Sequence, residues 1–153
     1  MSRIHPCDYL VRMVDIGKKP SVEREAVAEG FIRLRSETID AIREKRVPKG
    51  DVLSVAQTAA LLAIKRTPEM IPLTHPISIT GADVKFDFEE KGLRATVRVK
   101  SEGKTGVEME ALVGASAALL TVWDMVKGLE KDENGQYPET RIERIRVVRK
   151  VRG

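Results

Sequence analysis

One cysteine, Cys7, leaves this chain unable to form an intrachain disulfide, and a lone thiol suits a reducing compartment. Only two histidines accompany it, so a closed zinc site is not expected and no metal is assigned. Aromatic residues make up 4% of the chain and are scattered rather than interleaved with lysine and arginine. That spacing argues against stacking platforms for single-stranded nucleic acid. No apolar signal core opens the chain, and the longest apolar helix is short for a membrane span and carries charges at both ends. No internal repeat or low-complexity tract occurs. These absences describe a cytoplasmic protein with no membrane or nucleic-acid partner.

What is present fits one globular domain. The 153 residues are 42% hydrophobic and 33% charged, enough to build a core under a polar surface. A net charge of +4 favours an anionic partner, and with so few aromatics a small phosphorylated ligand is preferred over nucleic acid.

Residues 1–21 lack sustained periodicity and read as a loose arm. Over 22–34 the even positions are apolar or small and the odd ones mostly charged, which predicts a strand with Arg24 as a cation on the apolar side. Such an arginine either faces solvent at the strand end or contacts a ligand. Ser36 is expected to cap a helix closed by Pro48 and Gly50, and Asp51 a second helix stopping at Thr67-Pro68. Alternation over 77–88 and 93–99 predicts a hairpin through Glu89-Glu90-Lys91-Gly92. A long apolar helix, a turn at Asp132-Glu133-Asn134-Gly135 and a basic strand over 142–151, with Ile145, Val147 and Val151 on one side, complete the chain. Strand, helix, helix, two strands, helix, strand describes a ferredoxin-like α+β domain, an antiparallel sheet with helices packed on one face.

The candidate chemistry centres on Gly103-Lys104-Thr105-Gly106-Val107-Glu108-Met109-Glu110 and the helix it opens, which ends Trp123-Asp124-Met125-Val126-Lys127. Two glycines around a lysine and a threonine at a helix start form a plausible anion cradle. A nucleotide P-loop is excluded, because Arg98 stands where its first glycine belongs. Glu108 and Glu110 either complement the helix dipole or serve a site, and Asp124 with Lys127 is either a surface ion pair or a functional one. At ~1.5 Å and ~100° per residue, Glu108 and Asp124 lie about 24 Å apart along the helix and roughly 160° apart around it. If both are functional, the site is shared between subunits.

Three further features have open readings. Lys49, between the first two helices, is a solvated charge or a site lysine. His75, stiffened by Pro72 and Pro76 on either side, is structural or functional. The basic final strand is a phosphate-binding rim or a charge-protected edge.

Together, Lys49-Gly50-Asp51-Val52, Leu73-Thr74-His75-Pro76, the GKTGVEMEAL run from Gly103 to Leu112, and Asp124-Met125-Val126-Lys127 resemble the molybdenum cofactor biosynthesis protein C family, the cyclic pyranopterin monophosphate synthases. The resemblance begins near Met13, leaving 1–12 as a flexible arm and 13–153 as the synthase domain. It implies a homohexamer, a trimer of dimers with active sites at the dimer interface. It further implies a substrate, 3′,8-cyclo-7,8-dihydroguanosine triphosphate, supplied by a radical S-adenosylmethionine enzyme. The implied products are cyclic pyranopterin monophosphate and pyrophosphate, and no metal or organic cofactor is implied.

Carried over by motif, Asp124, Lys49 and Lys127 match catalytic positions. Leu73, Thr74, His75, Met109 and Glu110 match substrate-binding positions, with Glu108 beside them; Arg24, Lys104 and Lys150 match triphosphate contacts. Thr74 stands where the family usually has cysteine, Trp123 where it often has tyrosine, and the family's Gly/Lys/Ser-rich tail has no counterpart after Gly153. The alternative from another class is a non-catalytic nucleotide- or RNA-binding basic module.

Overall fold

Alternation builds the sheet. A computed structural model describes residues 10–153, so Cys7 and the first nine residues of the expected arm lie outside the described residues. Four strands, β1 (Val22–Arg33), β2 (Ser78–Glu89), β3 (Gly92–Gly103) and β4 (Arg141–Arg152), pair antiparallel in the order β2-β3-β1-β4. Ala26 and Ala28 of β1 and Ala95, Val97 and Val99 of β3 are wholly buried on the side that receives the helices. On the opposite side Glu25 pairs with Arg98 and Arg149, and Glu29 with Arg146.

The helices cover only the apolar side. They are α1 (Ser36–Arg43), α2 (Val52–Lys65), the single turn α3 (Thr67–Met70) and α4 (Glu108–Glu130). α4 packs on β1, β3 and α2. Contrary to the expectation that it is short for a membrane span, α4 runs 23 residues and is long and apolar enough to cross one, but here Ala111, Ala115, Ala118, Leu119, Val122 and Val126 are fully buried against the sheet and α2. Truncating Leu119 to alanine would cost about 2–5 kcal/mol. Gly114 lets α4 approach α2 closely, since a Cβ there would meet Ile64 Cγ1 at 2.8 Å.

Apart from the added single turn α3, the element order is that expected, as is the α+β ferredoxin-like class, and several local details differ. Arg35, not Ser36, occupies the capping position of α1, and no side chain caps that helix. Asp51 does cap α2, its carboxylate accepting from Ser54 N at 3.3 Å. Pro68 does not end helical structure, because proline lacks only a donor that a first turn leaves unused; it sits in the first turn of α3.

The largest difference is in β4. Ala28 lies opposite Val147 but Val27 lies opposite Arg149, so Val148 is an extra, bulged residue. Residues directly opposite share a face, so the bulge inverts the alternation. Lys150, opposite Ala26, is thereby placed on the helix side, and Val151, opposite Glu25, on the other. Val147 and Val151 therefore do not share a side. A second irregularity follows between Glu29 and Phe31, where Arg144 takes a φ of 56°.

Candidate active site

The C-terminal part of α4 carries a carboxylate between two ammonium groups. Asp124 Oδ1 lies 3.2 Å from Lys127 Nζ, one turn along the helix, and Asp124 Oδ2 lies 3.3 Å from Lys49 Nζ. Lys49 Nζ also donates to the Asp124 carbonyl at 2.9 Å. Local chain geometry presents Lys49. Gly50 takes a φ of 121°, open to glycine, its N–H closes a turn on Val47 O at 3.1 Å, and Asp51 then caps α2. Lys49 is thus a solvent-exposed charge, as one reading expected, and also half of an ion pair. Hydrogen bonds from Lys127 and then Lys49 hold the Asp124 carboxyl below its ordinary 3.8. It stays ionised at neutral pH, able to orient an ammonium or accept a proton.

The N-terminal end of α4 closes a different space. A hollow of about 340 Å³ is lined by Leu73, Thr74, His75, Glu108, Met109 and Glu110. Thr74 closes its own loop, its hydroxyl donating to Ile71 O at 2.8 Å. Glu108 meets Lys150 Nζ at 2.6 Å, a contact that exists because the β4 bulge turns Lys150 toward the helices. Arg24, on the same side as Ala26, donates from Nε to Gly103 O at 3.2 Å and adds positive potential at Glu108. Lys104 donates to Gly17 O at 3.0 Å and does not line the hollow.

The two glutamates of this end sit in opposed environments. Burial pushes the Glu108 carboxyl up, but the Lys150 hydrogen bond and charge, its own backbone N–H and the Arg24 charge together outweigh it, and the net shift is below the ordinary 4.5. Glu110 is 3% exposed; burial raises its carboxyl, its own backbone N–H offsets part of this, and the Glu108 charge adds to it. Neighbouring carboxyls pushed in opposite directions can divide acid and base roles between them.

Stability follows these shifts by linkage. Glu108 contributes stability above its unfolded value, which is lost as pH falls through its lower folded value. Glu110 contributes below pH 4.5, and its contribution is lost as pH rises through its higher folded value. Glu110→Gln, which cannot ionise, is therefore expected to raise Tm over the parent by more at pH 7 than at pH 4. Equal differences by scanning calorimetry at both pH values would contradict this.

Gly106 makes room for the Glu108 carboxylate, since a Cβ on it would lie 2.8 Å from Glu108 Cδ. Gly106→Ala should push Glu108 off Lys150, and with that partner gone the Glu108 carboxyl should titrate higher than in the parent, read by NMR titration.

The structure groups the sequence-derived candidates into two sets. Lys49, Asp124 and Lys127 form one, and Leu73, Thr74, His75, Glu108, Met109 and Glu110, with Arg24 and Lys150, the other. The intervening turns of α4 hold them about 24 Å apart, so one chain does not bring them together. Val14, Ile16 and Lys19 also line the hollow, and a sequence reading of this segment as a loose arm misses them. A signal is present in Asp15, two residues before Gly17, whose carboxylate accepts from Gly17 N at 2.7 Å in a side-chain-closed turn.

Most arginines of β4 are already engaged: Arg141 and Arg144 with Glu143, Arg146 with Glu29, and Arg149 with Glu25. That leaves little free charge for a continuous phosphate rim. Among the described residues no group of three or more His, Cys, Asp or Glu is placed to hold a metal ion.

Residues 13–153 match the model of the MoaC family. The chain is 60% identical over 153 residues, all of it and 98% of the relative, to a probable cyclic pyranopterin monophosphate synthase of Archaeoglobus fulgidus. It is 59% identical to a protein of the same name in Pyrococcus abyssi, over 93% of this chain and 89% of the relative. A Methanothermobacter thermautotrophicus protein, 60% identical over 95% of this chain and 92% of the relative, is named a probable cyclic pyranopterin monophosphate synthase accessory protein. With a match this long and relatives this similar, the chain belongs to the MoaC family.

Proposed function

We propose that this chain is a cyclic pyranopterin monophosphate synthase of molybdenum cofactor biosynthesis. It is a lyase that converts 3′,8-cyclo-7,8-dihydroguanosine triphosphate to cyclic pyranopterin monophosphate and releases pyrophosphate. Family membership and the relatives' names support the reaction. The observation that carries the site is the Asp124 carboxylate held between the Lys49 and Lys127 ammonium groups.

The residue types suit the chemistry. Opening the guanine-derived ring, rebuilding it as a pterin and closing a cyclic phosphate require several proton transfers, for which Lys49 and Lys127 are donors and Asp124 the orienting or accepting carboxylate. At the other end Leu73, Thr74, His75, Met109 and Glu110 contact the substrate, with Glu108 between them and the cations. Arg24 and Lys150 hold phosphate oxygens and stabilise the departing pyrophosphate charge. Lys104, with one of its three donors on Gly17 O, keeps two for phosphate oxygens.

Because one chain holds the two sets apart, a complete site takes Asp124 and its lysines from one protomer and the hollow from its neighbour. A dimer provides two such sites, and a trimer of dimers six. The protein works in the cytoplasm with residues 13–153 as the catalytic domain, downstream of a radical S-adenosylmethionine enzyme that makes its substrate, and without metal or organic cofactor.

Mass spectrometry of the purified protein mixed with the cyclic triphosphate tests the reaction. Conversion with release of pyrophosphate is expected, whereas a non-catalytic binding module returns the ligand unchanged.

A further inference from the structure

The last residue of α4 is an acidic side chain enclosed by the fold. Glu130 is 1% exposed, and it lies at the negative end of the α4 dipole. Among the described residues, its hydrogen-bond donors are all uncharged. Arg35 N lies 3.1 and 3.4 Å from its two oxygens, the Thr38 hydroxyl donates to Oε2, and the Thr140 hydroxyl donates to Oε1 at 2.7 Å. The Arg35 guanidinium turns away, to Leu129 O and toward Glu37 and Glu139. Donors from the β1–α1 junction, from α1 and from the approach to β4 therefore converge on one group.

That convergence fixes the seat of α1. The helix has no side-chain cap of its own, and Glu130 supplies an acceptor at its first turn from another element. α1 then runs into a tight bend, closed by Lys45 N on Ile42 O, Arg46 N on Ala41 O and Gly50 N on Val47 O. Lys49 sits in this bend. Among the described residues, the bend's hydrogen bonds to α4 are those Lys49 itself makes to Asp124.

We propose that Glu130 is a positioning residue for the Asp124 cluster: by clamping the first turn of α1 to the last turn of α4, it sets where the Lys49 ammonium meets Asp124. Asp124, Lys127 and Glu130 recur at intervals of three along α4, so the clamp lies about one turn beyond Lys127 and nearly two beyond Asp124. Its kinetic consequence rests on the catalytic reading given under Proposed function; its structural consequence does not.

The test uses the intact oligomer with Glu130→Ala, Glu130→Gln and Thr140→Val. One readout is the rate at which a water-soluble acylating reagent modifies Lys49, relative to exposed Lys100, by peptide mass spectrometry. The other is steady-state turnover of the cyclic triphosphate. In Glu130→Ala the Lys49 ratio should rise about threefold or more, and kcat fall about tenfold with KM within about twofold, as misplacement of a catalytic group implies. Glu130→Gln keeps an acceptor oxygen and should recover most of both, and Thr140→Val should shift the ratio the same way by less. A folded Glu130→Ala protein with the parent ratio overturns the proposal. If sizing and circular dichroism show that Glu130→Ala does not fold, Thr140→Val decides, and an unchanged ratio in it overturns the proposal. Absence of turnover in the parent protein defeats the proposed function instead, and the labelling ratio still decides the clamp.

Discussion

Asp124→Asn should lower pyrophosphate release from the cyclic triphosphate by about 10²–10⁴-fold, the range that loss of a positioned acid–base group produces. The amide keeps the shape but removes the charge that faces the Lys49 and Lys127 ammonium groups. It can neither accept a proton nor hold both ammonium groups by charge. Lys49→Ala should fall in the same range. Asp124 is exposed and outside the core, so both variants should keep the parent's Tm and elution volume, which separates a chemical defect from a folding one. Normal turnover by either variant, measured by release of pyrophosphate, would remove Asp124 and Lys49 from the chemistry.

Mixing two inactive variants should restore activity. His75→Ala damages the hollow at one end of α4, and Asp124→Asn damages the cluster at the other. If each site takes its ends from different protomers, a mixed dimer has one site with both defects and one with neither. Co-refolded in equal amounts, half the dimers are mixed, so activity should return to about one quarter of the parent's, as two-fold pairing dictates. Each variant refolded alone should stay inactive. A mixture no more active than its components would place both ends of the site within one protomer's reach.

Alternation alone carries the α+β class, because β1 and β3 bury one face and pair charges on the other. The two-ended character of the site likewise follows from helix arithmetic, since α4 is continuous between Glu108 and Asp124. Lys49 is harder to read: nothing local says that a hinge lysine reaches a residue far along the chain, because that contact is made by the packing of α1, α2 and α4. Lys150 illustrates a different limit. Alternation along β4 assumes an unbroken register, and the extra residue at Val148 cannot be seen without the partner strand. Val14, Ile16 and Lys19 stay hidden because a segment without periodicity can still be held by a few turns and one lysine, here Lys104 on Gly17 O. Glu130 carries no signal, as a glutamate at the end of a helix ordinarily faces water.

The continuous α4 acts as a ruler. A rigid rod cannot shorten, so no rearrangement inside one protomer closes the gap between its two ends. On the proposed reading, working sites then exist only while protomers remain associated, and diluting the protein below its assembly constant would extinguish turnover even as every subunit stays folded.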